Sequence, residues 1–318
     1  MLLRKRPKPL PLRKLEVLIP RTPSYFSCLP DMQQDLAKRM TGYIGEKRVD
    51  YHLRSLAKKY TILHDVHLKL PYGNSIQIDS FILTPYAIFI IEIKNYKGTI
   101  TFDTLLKQLI RDDGEKETGF KYPITQAENH QLHLENWLHD HHFANVPIRY
   151  FIAIADPGTI IKVEGDKQGI AKVVTHAEHL PQRILEIDAA YAQSNSANLP
   201  VKKISDAILS ECEEFDIDIL GKYGMTKEMI LPGVGCPECG VLAMERQYAN
   251  WKCRRCGKLS KDAHARALDV YFLLISDKVT NRECMWFLKI NSRHLASRIL
   301  KSYNLTYFQK GKYWTKKR

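Results

Sequence analysis

Residues 76–98, IQIDSFILTPYAIFIIEIKNYKG, decide how the rest of the chain is read. Residues 76–83 lead in and residues 86–94 lead out, each rich in the β-branched and aromatic side chains that favour strands. The second run is almost unbroken, as suits a strand covered on both faces, and at nine residues it is far too short to span a bilayer. Into this apolar pair the sequence inserts Asp79, Glu92 and Lys94.

Taking Pro85 and Tyr86 as a two-residue loop sets Thr84 opposite Ala87 and Asp79 directly across from Glu92. Opposed side chains have Cβ atoms roughly 4.5–5.5 Å apart, where like charges repel. Glu92 and Lys94 are two residues apart and leave the strand on one face. Two carboxylates and an ammonium therefore converge in an apolar sheet, where charge is costly unless it is paired or binds a metal. A Mg²⁺-type cation, which takes one or two carboxylates plus waters and phosphate oxygens, resolves that cost. The competing reading is a Lys94–carboxylate ion pair with the other acid at a sheet edge.

Three segments flank or overlap this hairpin: GYIGE at 42–46, IEIKNYKG at 91–98 and PITQAENH at 123–130. In this order and spacing they resemble the nuclease-related domain (NERD), a branch of the PD-(D/E)xK restriction-endonuclease-like superfamily, over residues 38–155. The resemblance implies an α/β (α+β, mixed-sheet) restriction-endonuclease-like core and a metal-dependent nuclease. It implies that Asp79, Glu92 and the Ile93 carbonyl ligate Mg²⁺ or Mn²⁺, and that Lys94 orients the attacking water or stabilises charge on the phosphate. Glu46 and Gln126 join the catalytic set by resemblance alone. Gln126 and His130, four apart, share one helix face.

At 318 residues the chain has room for two or three domains. No long apolar segment suggests a membrane span, and the N-terminus lacks the apolar region of a signal peptide. Seven cysteines, four of them in C-x-x-C units, point to metal ligation in a reducing compartment, so a cytoplasmic location is expected. Residues 252–318 hold 17 Lys and Arg against 4 Asp and Glu, which accounts for the whole net charge of +13. Charge gathered in one region reads as a surface for a polyanion, most simply nucleic acid, with a solvated basic face as the bland alternative.

In chain order, residues 1–30 read as a basic, Pro-rich arm and residues 31–190 as the nuclease-like domain. Within the latter we expect a helix over 31–60 with Gly42 and Gly45 as candidate breaks, a strand over 61–70 and a turn at Pro71-Tyr72-Gly73-Asn74. A small excursion over 105–120 turns at Asp112-Asp113-Gly114. A helix over 124–139, a strand over 149–156 and an edge strand over 171–175 follow. His139, His141 and His142 read as a solvated helix end. Residues 191–232 form a linker with a helix near 203–212.

The spacing Cys236-x₂-Cys239-x₁₃-Cys253-x₂-Cys256 over residues 233–259 predicts a closed tetrahedral Zn²⁺ site of the ribbon kind, which stabilises a fold and does not catalyse. Tyr248 and Trp251, on the intervening hairpin, are candidate contacts for nucleic acid or protein. Over residues 260–318 we expect a helix at 261–276, a second helix to about 289 opened by the Thr280/Glu283 capping box, and a third capped by Ser292. On that third helix Leu295, Ala296, Ile299 and Leu300 point inward, leaving Arg293, His294, Ser297 and Arg298 outside. Strands at 305–308 and 313–315 meet across Lys310-Gly311-Lys312. The segment resembles a winged helix-turn-helix, whose second helix enters the major groove. Arg293, His294, Ser297, Arg298, Lys310 and Lys312 are therefore its candidate nucleic-acid-binding residues.

The expected function is a metal-dependent DNA nuclease carrying two binding modules. The alternative is a DNA-binding regulator or recruitment protein whose nuclease-like domain does not cleave; RNA is the less favoured partner.

Overall fold

The computed structural model describes residues 1–70, 75–194 and 197–316, so the turn expected at 71–74 lies outside the described residues. The chain divides into two compact units, residues 1–10 with 37–215 and residues 11–36 with 216–318. Strand β1 (Leu2–Arg4), helix α1 (Leu10–Leu18) and helix α2 (Leu29–Leu53) come first, so residues 1–30, expected as an arm, hold regular elements. α2 runs through both Gly42 and Gly45 without a break.

The first unit continues with β2 (Thr61–Lys69), β3 (Ser75–Leu83), β4 (Ile88–Lys94), β5 (Thr99–Asp103), β6 (Gln108–Asp112) and β7 (Glu117–Lys121). Then follow α3 (Pro123–Asp140), β8 (Ile148–Ile154), β9 (Ile160–Glu164), α4 (Lys167–Val173), β10 (Val174–His176), α5 (Leu180–Gln193) and α6 (Val201–Glu211). Six strands make one mixed sheet in the order β1-β2-β3-β4-β8-β10. β2–β3 and β3–β4 are antiparallel, while β1–β2, β4–β8 and β8–β10 are parallel.

β4 is buried along nearly its whole length because helices cover both faces. On one side Ile91 and Ile93 pack with Val49 and Leu53 of α2 and Ile184 of α5. On the other, Ile88 and Ile90 pack with Leu134 of α3 and Ile204 and Ile208 of α6. Each such side chain contributes about 1.5–3 kcal/mol on burial, which makes β4 the anchor of the sheet.

The β3–β4 turn has the two-residue loop expected of Pro85-Tyr86. The Thr84 N–H donates to the Ala87 carbonyl at 3.0 Å, and the Thr84 hydroxyl accepts from the Tyr86 and Ala87 N–H groups. The ladder then runs Leu83↔Ile88, Ile82↔Phe89, Phe81↔Ile90 and Ser80↔Ile91, the register counted from sequence.

Two local expectations are corrected. The excursion at 105–120 belongs to a four-stranded sheet, β7-β6-β5-β9, whose Ile100, Phe102 and Leu109 point inward. Most of the strand expected over 171–175 is instead the end of α4. The Asp166 carboxylate caps that helix by accepting from the Gly169 N–H at 2.8 Å, and the chain becomes extended only at Val174.

The second unit adds α7 (Ile219–Lys222), β11 (Met244–Gln247), β12 (Asn250–Cys253), β13 (Leu259–Ser260), α8 (Ala263–Leu274) and β14 (Lys278–Val279). It ends with α9 (Asn281–Leu288), α10 (Arg293–Ser302), β15 (Leu305–Phe308) and β16 (Tyr313–Lys316). β11-β12-β13 form one small sheet and β14-β16-β15 another. The capping box at Thr280 and Glu283 is present, and the Ser292 hydroxyl accepts from the Leu295 N–H. One core holds the unit together, drawing on Leu15 and Leu18 of α1, Trp251 of β12, Tyr271 of α8, Phe287 of α9, Leu300 of α10 and Trp314 of β16. Trp251 is thus a core residue with no exposed surface, its Nε1–H donating to His264 Nδ1 at 3.0 Å. Tyr248, at the hairpin tip, is fully exposed. Among the described residues no helix is long and apolar enough to cross a membrane.

Candidate active site and cysteine metal centre

The β3–β4 ladder stops at Ser80↔Ile91, one step short of Asp79 and Glu92, while β4 goes on pairing with β8 as far as Lys94↔Ile154. The two strands fork there. Side chains take over from the ladder: Asp79 Oδ2 accepts the Ile93 N–H at 2.7 Å, and the Asp79 carbonyl accepts from Arg6 Nη2 at 2.6 Å. Period-two alternation places Asp79 on the face of Phe81, and Glu92 and Lys94 on the face of Ile90, which is the side covered by α3.

On that face Lys94 Nζ donates to Glu92 Oε1 at 2.7 Å and to Gln126 Oε1 of α3 at 3.1 Å. α3 opens at Pro123, whose lack of an N–H costs nothing at a first helical position, and this start points Gln126 at the strand end. His130, one turn further, brings Nδ1 to 3.7 Å from Glu92 Oε2. Glu92 Oε2 and His130 Nδ1 are both buried without a hydrogen-bond partner.

Glu46 approaches from the other side of the sheet, on α2. Gly45 makes this possible: a Cβ there would lie 2.3 Å from the Asn95 Cβ, and Asn95 Nδ2 donates back to the Thr41 carbonyl at 2.7 Å. Arg6, a residue that motif reading gave no reason to select, ties this side together. Its side chain is only 1% exposed. It donates to Glu46 Oε2, to both Asp50 oxygens and to the Ser80 hydroxyl, in addition to the Asp79 carbonyl. Only the fork geometry reveals it, since nothing in KRPKP separates Arg6 from its basic neighbours.

The electrostatics follow from crowding acids where water is scarce. Burial, and then the Asp79 charge, push Glu92 up to about 8 against the pull of Lys94 and Gln126. Burial and Asp79 likewise push Glu46 up to about 7, with Arg6 opposing. Asp79 itself is raised by burial, against Arg6 and the Ile93 N–H. Burial disfavours the charge on Lys94, but Glu92 and Asp79 outweigh it and hold the ammonium above its ordinary range. Burial, then Lys94, lower His130 to about 4, so its imidazole is neutral at physiological pH. Two carboxylates on one face, with one oxygen lacking any donor, form a donor set that suits a hard divalent cation.

Cys236, Cys239, Cys253 and Cys256 place their sulfurs within 4.8 Å of one another and can hold a metal ion such as zinc. They are the group of three or more His, Cys, Asp or Glu that comes this close among the described residues. The two C-x-x-C-G turns match: the Gly240 N–H donates to the Cys236 carbonyl and the Gly257 N–H to the Cys253 carbonyl, both at 3.0 Å with φ of +73°. Burial raises the Cys236 thiol, but the N–H groups of Cys239 and Glu238 overcome it and bring the group to about 7, toward the thiolate that a metal needs.

Arg293, His294 and Arg298 are exposed on α10, and Lys310 and Lys312 lie exposed between β15 and β16. Ser297 is half-buried, its hydroxyl accepting from Asn281 Nδ2 at 2.7 Å. His141 is tied to Glu211 at 2.7 Å and stacked on Trp137, so of the expected solvated histidines it is the one engaged in packing.

Residues 41–155 match the model of the nuclease-related domain, NERD. This stretch is a NERD region. It contains Glu46, Asp79, Glu92, Ile93, Lys94 and Gln126, while Arg6 lies outside it. An uncharacterized protein of Bacillus anthracis is 33% identical over 98 residues, 30% of this chain and 46% of that protein. The chain thus spans about half the length of this relative. No solved structure matches.

Proposed function

We propose that the NERD region is the catalytic part of a metal-dependent nuclease that hydrolyses DNA phosphodiester bonds. The observation that carries this reading is the pairing of Asp79 and Glu92 on one face at the β3–β4 fork, beside Lys94 and with Glu92 Oε2 lacking any donor. Asp79, Glu92 and the Ile93 carbonyl would hold Mg²⁺ or Mn²⁺. Such an ion, when bound, would supply polarisation of the phosphodiester and a lowered pKa for the attacking water.

The chain's own groups do the rest. Lys94, steadied by Gln126, presents a positive charge where charge develops on the phosphate. Arg6 holds the Glu46 carboxylate and the Asp79 backbone in place. In the second unit, α9 and α10 with the β14-β16-β15 sheet act as a winged helix-turn-helix of the PD-(D/E)xK protein, and the cysteine sheet as its zinc ribbon. Arg293, His294, Arg298, Lys310 and Lys312 would neutralise phosphates, so binding weakens steeply with salt. Reduced thiols at the metal site suit the cytoplasm.

A second reading, a DNA-binding regulator that does not cleave, is favoured by one feature: the Lys94 ammonium is already committed to Glu92 and Gln126. Purified protein incubated with Mg²⁺ or Mn²⁺ and plasmid, linear or single-stranded DNA separates the two. Cleavage by the parent and none by Asp79→Ala supports the nuclease; DNA retained intact by both supports the regulator.

A further inference from the structure

The β11–β12 hairpin and the α9–α10 loop flank an open cleft of about 680 Å³. Arg246 and Arg254 line it from the hairpin side, and Lys289, Asn291 and Ser292 from the loop. Glu245 is the one carboxylate among the lining residues, and it is already paired with Arg254.

Arg246 is the telling residue. Its Nε and Nη1 are shut off from solvent and meet no acceptor, while its guanidinium lies over the Trp251 ring, 5.4 Å from the centroid. A guanidinium does not shed its proton in a protein, so buried donors of this kind call for an anion. Beyond burial, the charge of Arg298 on α10 also bears unfavourably on Arg246, as two cations do when nothing negative lies between them. The cleft thus combines unsatisfied guanidinium donors, a lysine, two small polar side chains and no free acid. That is the chemistry of a phosphate cradle, and planar N–H groups match phosphate oxygens two at a time.

We propose that this cleft binds a phosphate group of the DNA backbone, so that hairpin and helix pair grip one strand as a single surface. The proposal rests on the DNA-binding part of the reading above and adds a contact that the exposed face of α10 does not supply.

The test uses the full zinc-loaded chain in phosphate-free buffer. Fluorescence anisotropy of a short labelled duplex is followed across a salt series for the parent, Arg246→Met and Lys289→Gln. Methionine keeps apolar cover over Trp251, so the fold is retained and its melting temperature without phosphate stays at or above the parent's. We expect Arg246→Met to weaken duplex binding roughly tenfold, the loss of one charge-assisted contact. The slope of log K against log salt should fall by about one.

In a second arm, inorganic phosphate raises the melting temperature of the parent and not of Arg246→Met. If the parent ignores the duplex yet shows this phosphate effect, the DNA reading fails and a site for free phosphate stands. If affinity and slope are unchanged and phosphate has no selective effect, the proposal is overturned. The same holds if Arg246→Met loses only thermal stability, since Arg246 is then a packing residue.

Discussion

Glu92 holds a proton that its unfolded counterpart would release. A free glutamate titrates near 4.5, whereas burial beside Asp79 pushes this one up to about 8. Below about pH 4.5 both states are protonated and the residue is neutral in its effect. Between about 4.5 and 8 the unfolded chain ionises first, so the metal-free fold loses stability as pH rises through that window. Glu46, raised to about 7, acts in the same direction. Glu92→Gln should therefore flatten the fall in melting temperature between about pH 5 and 8 in chelator-treated protein, while abolishing cleavage. A parent whose stability did not fall across that range would contradict the buried carboxyl cluster. Arg6 has the opposite character, a buried cation whose donors all have acceptors. Arg6→Met leaves Asp50 uncompensated and should cost about 3–5 kcal/mol in denaturant unfolding, part of it recovered by Asp50→Asn in the double variant.

Among the elements, α2 makes a paired prediction from two glycines three residues apart. A Cβ at Gly42 meets nothing within 4 Å, so Gly42→Ala should stabilise by about 0.5–1 kcal/mol through helix propensity. A Cβ at Gly45 would press on Asn95 at the end of β4, so Gly45→Ala should destabilise by about 1–3 kcal/mol as overpacking. Thermal unfolding of the two single variants decides both signs. The β3–β4 hairpin was legible in the sequence because a two-residue loop and a period of two leave one register, which set Asp79 against Glu92. The helices from Thr280 to Ser302 were legible through their caps. β1 was not, since three residues carry no period, and with it went Arg6. Val173-Val174-Thr175 read as a strand because β-branching is local, whereas the Asp166 cap that overrides it acts from seven residues upstream. Trp251 was misjudged, although its spacing from Cys253 puts the two on one face of β12, and that face turns inward.

For the molecule as a whole, the second unit takes residues 11–36 from one end of the chain and residues 216–318 from the other. Leu15, Leu18 and Met32 have no exposed surface and belong to its core. A fragment of residues 216–318 with zinc should therefore show poorly dispersed amide resonances and self-associate. Adding a peptide of residues 11–36 should sharpen the spectrum; a well-dispersed spectrum without the peptide would count against a shared core.

This division has a bearing on how the chain is made. Leaving the ribosome, Leu15 and Leu18 are among the first apolar side chains to emerge, and the tryptophan and tyrosine they will adjoin are among the last. The earliest helix must therefore wait, greasy side uncovered, until translation is nearly finished, which makes chaperone capture of nascent chains a natural companion of this architecture.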